Sequence, residues 1–459
     1  MEPTSIKEIL DATGGKLLSG DPSSLVTSIC VDNRELKKNS LFLPLIGERV
    51  DGHKFIKEAL SGKAMGSFTQ NESFVKVENK AMILVKNTLK ALHDIARYYR
   101  KRFDLPLIAV TGSVGKTITK EMIFSILSQK FDVMKTEGNL NSQVGLPLTL
   151  LNLNHKNQAA VVEFGISEPG EMEKLVKMAL PNISVITNIG LSHIEFLKSK
   201  ENIFKEKLHI SDTLSKDDIL LLNGDDKILF SAKDIDKKIL YFGLNKNNDL
   251  VAEEISINNG AIHFSFKNRE FSCKMKINVL GKYNLYSALV GIGIALRFNL
   301  STQEIQRGLE NYSGVSMRQQ IHRNKELIVI NDTYNSSPDS VVSAVETMEE
   351  ISNSGRKIAV LADMLELGEF SEKEHYNLGV VLSKSKIDAL LTIGKFAKNI
   401  AIGFEKNNDS KIKTMSFLTN EEAFFEIEKI ISPKDVILIK GSRGMKTEEI
   451  VQKILELQF

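Results

Sequence analysis

Leu107-Ile108-Ala109-Val110-Thr111-Gly112-Ser113-Val114-Gly115-Lys116-Thr117 reads as a short apolar strand running into a glycine-rich turn, after which Ile118, Met122, Ile123 and Ile126 mark one face of a helix. Strand, turn and helix in that order are what a phosphate loop needs. The glycines let backbone N–H groups turn toward an anion, and the helix N-terminus adds positive potential. Lys116 can then reach the outer phosphates, and the Thr117 hydroxyl can ligate Mg²⁺. The general pattern has a glycine at position 110, where this chain has Val110. A glycine-rich turn without a ligand is the competing reading, and Gly-Lys-Thr at the start of a helix weighs against it.

Outward from this loop the chain alternates apolar strand runs (Leu107 to Val110, Ala159 to Phe164, Ser184 to Ile189, Ile219 to Leu222) with helical stretches. That rhythm predicts βαβ units on a parallel sheet. Between about Leu250 and Leu280 the alternation falls to steps of two, as in Ile262, Phe264 and Phe266, which predicts an antiparallel patch. After Ser316 the βα rhythm restarts, with strands at Leu327 to Ile330, Ile358 to Leu361, Ala389 to Ile393 and Val436 to Ile439. Before the loop, Ser28 to Val31 and Leu41 to Leu45 read as strands, Asp51 to about Lys63 as a helix, and Thr88 to Arg102 as the entry helix of the next unit. The expectation is an α/β chain of three domains. These are a small N-terminal α/β domain over 1–86, a central domain with a parallel sheet and phosphate loop over 87–315, and a C-terminal Rossmann-like domain over 316–459.

Composition narrows the function. The 459 residues carry 60 Lys plus Arg against 58 Asp plus Glu, a formal net charge of +2, which is too even for phosphate-backbone binding. Nucleic acid is therefore not the expected partner. Two cysteines, Cys30 and Cys273, stand in no metal-ligand spacing, which points to a reducing cytoplasm. No apolar run approaches the ~18 residues that span a bilayer, and the N-terminus lacks a basic leader. A soluble, unprocessed monomer is expected.

Three further positions carry chemistry. Glu163 ends an apolar strand, where open α/β sheets hold ligands, and its carboxylate could bind the Mg²⁺ that accompanies ATP; a solvated strand end is the alternative. His193 follows another strand in Gly190-Leu191-Ser192-His193, as a metal ligand, a base or a loop histidine. Lys205 and Lys207 sit on a helix beginning near Lys200, where lysines are usually solvated.

Together these pieces resemble the Mur ligase family of ATP-dependent amino-acid ligases that build the cell-wall peptide. The family's short phosphate loop, Thr-Gly-x-x-Gly-Lys-Thr, matches Thr111 to Thr117, so Gly112, Ser113, Val114, Gly115, Lys116 and Thr117 are implied to bind ATP. Its metal-site glutamate matches Glu163 and its strand-end histidine matches His193. A lysine carbamylated in the family matches Lys207, with Lys205 two residues away. Thr117, Glu163, His193 and carbamylated Lys207 are then the implied ligands of two Mg²⁺ ions, and Lys116, Glu163, His193 and Lys207 the implied catalytic set. The family's His-Asn-x-x-Asn segment looks like Tyr283-Asn284-Leu285-Tyr286-Ser287, with only Asn284 retained.

Three segments resemble the member of the family that adds D-alanyl-D-alanine to a UDP-N-acetylmuramoyl tripeptide: Asn139 to Pro147, Asn331 to Ser340 and Val360 to Gly368. They imply that Asn139 and Asn141 meet substrate, and that Arg318, Asp332, Tyr334 and Asn335 reach ATP as the third domain closes. Val31-Asp32-Asn33-Arg34 and Val50-Asp51-Gly52-His53 resemble the segments that bind the UDP-sugar, implicating Asp32, Asn33, Arg34, Asp51, Gly52 and His53. Each stretch also has a plain reading: asparagines in turns, Pro338 opening a helix, Asp363 capping a strand end. A folate-polyglutamylating relative and a nucleotide switch that forms no bond are the competing functions.

Overall fold

The computed structural model describes residues 1–73, 79–232, 235–258, 260–324, 327–352, 355–408 and 412–457. Within these, three large sheets follow one another along the chain, and a two-stranded antiparallel ribbon pairs Thr4–Ser5 with Leu25–Val26 beside the first.

The first sheet has five strands, ordered Lys16–Ser19, Ala81–Leu84, Ala64–Thr69, Ser40–Phe42 and Ser28–Cys30; only the first pair is antiparallel. The stretch expected as a helix from Asp51 begins as a 3₁₀ turn over Gly52–Phe55, and the α-helix covers only Ile56–Ser61. Asp51 causes that start, because its carboxylate accepts from the His53 amide and caps the turn.

The entry helix Thr88–Arg100 starts on the Asn87 side chain, which accepts from Lys90 N. It ends where buried Arg100 donates to three carbonyls, those of Ala179, Phe103 and Leu105, at 2.9, 2.6 and 3.0 Å. A basic residue there meets the negative end of the helix dipole while satisfying carbonyls of the following turn and of Ala179, the last residue of the helix Glu171–Ala179. Its neighbour Arg102 donates to Thr4 Oγ1 at 2.8 Å, tying this helix to the N-terminal unit.

The central sheet has nine strands, ordered Ser272–Ile277, Ala261–Lys267, Leu250–Asn258, Ile239–Gly243, Ile219–Asn223, Ile183–Ile186, Leu107–Thr111, Ala159–Glu163 and Val133–Lys135. The strand before the phosphate loop lies inside, between Ile183–Ile186 and Ala159–Glu163, parallel to both. Both its faces are covered: Leu107 and Ala109 enter one hydrophobic cluster, Ile108 and Val110 the other. That explains an unbroken apolar run where a half-exposed strand would alternate. The expected antiparallel patch is present over Leu250–Ile277, and it extends this same sheet, since Leu250 pairs in parallel with Phe242.

The third sheet orders Gln320–Asn324, Leu327–Asp332, Val436–Lys440, Lys357–Ala362, Ala389–Ile393 and Lys413–Phe417. Its register sets Asp332 beside Lys440 across adjacent parallel strands. Asp363 follows the Lys357–Ala362 strand, and its carboxylate accepts from the amides of Lys395, Phe396 and Ala397, so it caps the turn entering the helix Lys398–Asn407. Fully buried His375 donates from Nδ1 to Ser371 O at 2.7 Å and accepts at Nε2 from Met364 N at 2.9 Å. Ser442 Oγ accepts from Leu365 N at 2.9 Å. Three side chains thus pin three successive residues, 363 to 365.

Burial holds the His375 pKa below its ordinary value of about 6.5, the value the unfolded chain retains. The unfolded state therefore takes up this proton first as pH falls. The stabilisation is complete above about pH 6.5 and is lost as pH drops toward the folded value. The thermal midpoint should fall between pH 7.5 and 5.5 in the parent protein, and fall less steeply in His375→Gln, as scanning calorimetry will read.

Candidate active site

The phosphate loop is shaped by contacts with the neighbouring strand end. Gly112 has φ +149°, and a Cβ there would collide with the Thr187 hydroxyl. Ser113 N and Val114 N donate to the Asn188 side-chain oxygen at 3.1 and 2.8 Å. Gly115, with φ +86°, precedes the helix Lys116–Leu127 and offers it no side-chain cap. The first-turn N–H groups of that helix are therefore left for an anion. Lys116 Nζ donates back to Gly112 O at 2.9 Å, and burial lowers its pKa.

Glu163, 2% exposed, meets this loop through Thr117, whose hydroxyl donates to Oε2 at 2.9 Å. Asn141 Nδ2 donates to Oε1 at 2.8 Å. The two neighbouring lysines differ in burial: Lys205 is exposed, whereas Lys207 is 1% exposed and donates to Gly112 O at 3.1 Å. Burial first, and then the charge of Lys116, pushes the Lys207 amine well below its ordinary value. The adjacent Glu206 turns away and accepts from the amides of Gly170 and Met172.

A cavity of about 700 Å³ opens over the loop, and the third domain supplies its far wall. There the Arg318 guanidinium stacks 4.1 Å from the Tyr334 ring centroid. Asp332 Oδ2 accepts from Lys440 Nζ at 2.8 Å, and the same amine reaches Asn335 O at 2.8 Å. His193, in a left-handed backbone conformation with φ +62°, has its Nδ1 2.8 Å from Glu366 Oε2. The His193 imidazole beside it holds the Glu366 carboxyl below the usual range.

Of the residues singled out in the sequence, Ser113 to Thr117, Asn139, Asn141, Glu163, His193, Arg318, Asp332, Tyr334 and Asn335 all line this cavity. Others stand apart from its lining. Asn284 is buried with Nδ2 donating to Leu280 O, while its neighbours Tyr283, Tyr286 and Ser287 face the cavity. Asp32 caps a short turn and pairs with the exposed Arg34, flanking Asn33. Asp51 accepts from His53 Nδ1 at 2.7 Å beside Gly52, and His53 Nε2 is buried without a hydrogen-bond partner. Sequence reading left Lys440 and Glu366 without roles, although Glu366 falls inside a quoted segment and Lys440 directly follows a quoted strand.

The donors suit Mg²⁺ paired with a nucleotide. No group of three or more His, Cys, Asp or Glu among the described residues could hold a metal alone. What the cleft offers is one hydroxyl, one carboxylate and one imidazole, those of Thr117, Glu163 and His193, all lining the cavity. Mg²⁺ is ordinarily held in this way, by one or two carboxylates plus phosphate oxygens and water.

Comparison with known proteins agrees with this geometry. The Mur ligase middle domain matches residues 110–295 and the Mur ligase, glutamate ligase domain matches 317–443. The chain belongs to the Mur ligase family. A Bacillus subtilis relative, 36% identical over 98% of both chains, is a UDP-N-acetylmuramoyl-tripeptide–D-alanyl-D-alanine ligase. MurF from Acinetobacter baumannii superposes with a TM-score of 0.93 at 28% identity over the whole of both chains. MurF from Thermotoga maritima in complex with ADP gives 0.84 at 26% identity, covering 94% of this chain and 97% of that one.

Lys440 and Asp332 form a buried ion pair, so removing one partner strands the other charge. Lys440→Met should cost about 3–5 kcal/mol in urea unfolding, and Asp332→Asn in the same chain should recover part of it.

Proposed function

We infer that the chain is an ATP-dependent, ADP-forming ligase of peptidoglycan precursor synthesis that joins D-alanyl-D-alanine to UDP-N-acetylmuramoyl-tripeptide. The observation that carries this is one cavity lined by the phosphate loop, Glu163 and His193 on one wall and by Arg318 and Asp332 on the other. Relatives of full length bear that activity in their names.

The terminal carboxylate of the tripeptide attacks the γ-phosphorus of ATP, giving an acyl phosphate and ADP. The amine of D-alanyl-D-alanine then adds to the acyl carbon, and the tetrahedral intermediate expels phosphate and a proton as the amide forms. Such transfers rest on positioning and charge stabilisation more than on covalent help from the protein. Lys116, at the loop, bears on the transferring phosphate. Thr117, Glu163, His193 and Lys207, the last as its carbamate, would hold Mg²⁺, two ions in all, and the metal would neutralise charge developing on the phosphate oxygens. Arg318, stacked on Tyr334, and Asp332, held by Lys440, meet the nucleotide from the third domain. Asn141 orients Glu163 and, with Asn139, borders the peptide.

Three domains divide the work: 1–86 takes the UDP end through Asp32, Asn33, Arg34, Asp51, Gly52 and His53, 87–315 takes ATP, and 316–459 closes over it. The three large sheets, each lying within one of these spans, support this division. The enzyme works in the cytoplasm as a monomer. Among the described residues no helix is long and apolar enough to cross a membrane.

Phosphate release from Mg-ATP should require both the UDP-tripeptide and D-alanyl-D-alanine. Release with folate plus glutamate, or a single stoichiometric turnover without either pair, would discard the reading. For Lys207, a buried amine of lowered pKa is the neutral form that takes up CO₂. Lys207→Ala should abolish turnover, and short-chain carboxylic acids should restore part of it; full activity without rescue would sink the carbamate.

A further inference from the structure

The contact between His193 and Glu366 joins two domains, and it is built from both sides. His193 opens the helix Ile194–Leu197, with its carbonyl accepting from Phe196 N and Leu197 N, so its backbone is fixed. Among the described residues no aligned hydrogen bond engages its Nδ1, which leaves the Glu366 carboxylate, 2.8 Å away, to orient the ring. Glu366 in turn sits at φ +66°, a conformation that costs a residue with a side chain. It ends the segment pinned by Asp363, His375 and Ser442. Its own carbonyl accepts from Glu195 N at 3.4 Å, and Gly368 packs against the Glu195 side chain. Although the Glu366 side chain is half exposed, its strained backbone at the tip of a fixed loop sets the carboxylate beside that one imidazole.

We propose that Glu366 is a positioning residue whose carboxylate, delivered by closure of the third domain, fixes the His193 ring so that Nε2 is presented to the metal. This rests on His193 being a ligand, as inferred above. His193 Nδ1 lies 2.8 Å from Glu366 Oε2 but off the line of a hydrogen bond; a turn of the ring that aligns the two puts the proton on Nδ1 and the lone pair on Nε2, the arrangement by which outer carboxylates orient metal-binding histidines. The metal centre is then complete only in the closed enzyme, although Glu366 touches no substrate.

The test uses the full chain with Mn²⁺ as probe, ADP and UDP-N-acetylmuramoyl-tripeptide present, and free Mn²⁺ read by electron paramagnetic resonance. Glu366→Ala should weaken Mn²⁺ binding about tenfold, within the span seen when such outer partners are removed. Glu366→Gln should fall between. Metal-free ADP affinity and the thermal midpoint should stay at parent values, and kcat should drop with KM for ATP little changed. Mn²⁺ affinity within twofold of the parent in both variants overturns the proposal. His193→Ala separates the two layers: if it weakens Mn²⁺ binding while Glu366→Ala does not, only the positioning role fails. If His193→Ala binds Mn²⁺ normally, the ligand assignment fails and the proposal with it.

Discussion

Two lysine amines converge on one backbone carbonyl, that of Gly112, and the centre of the molecule is arranged to permit it. The carbonyl can face both because Gly112 adopts a backbone angle closed to other residues, with the Thr187 hydroxyl occupying the space a side chain would need. Lys116 arrives from the helix that the loop opens, and Lys207 from a helix 95 residues further along. Each charge makes the other harder to keep away from water, which drives the deeper amine toward its neutral state. Thr117, next along the helix, is thereby set against Glu163.

The third domain completes the cavity with a different logic. Its contributions come from strand ends and the segments just after them, the position at which open α/β sheets gather ligands. Parallel register brings Lys440 beside Asp332, so a buried ammonium fixes a carboxylate at the cavity wall. Asp363 has the opposite fate. It stands in a segment resembling a substrate-specific signature, yet its carboxylate is consumed by three amides and its contribution is the rigidity of the turn.

Local chemistry was readable where the residues that act are neighbours in sequence: the phosphate loop, Glu163 at a strand end, and the two-residue alternation through Phe264 and Phe266. Pairings across long separations were not. Nothing near Lys440 announces Asp332, because their meeting depends on strand order in a sheet. The edge strands Gln320–Asn324 and Lys413–Phe417 escaped notice because half-exposed edges carry no apolar run. Lys207 and Lys205 are indistinguishable by composition, and helical phase, two residues being about 200° of rotation, sends one inward and the other to solvent.

The amides of Ser113 and Val114 are already engaged by Asn188, so the loop meets nucleotide in a finished shape. Little ordering then remains to be done there, and what the complex still requires is that the wall carrying Arg318, Asp332 and Glu366 stay against the loop. Any ligand that favours that arrangement bears its cost for the next one. On the proposed function, ATP and the UDP-tripeptide, if both favour the same arrangement of the cavity walls, each raise the affinity of the other.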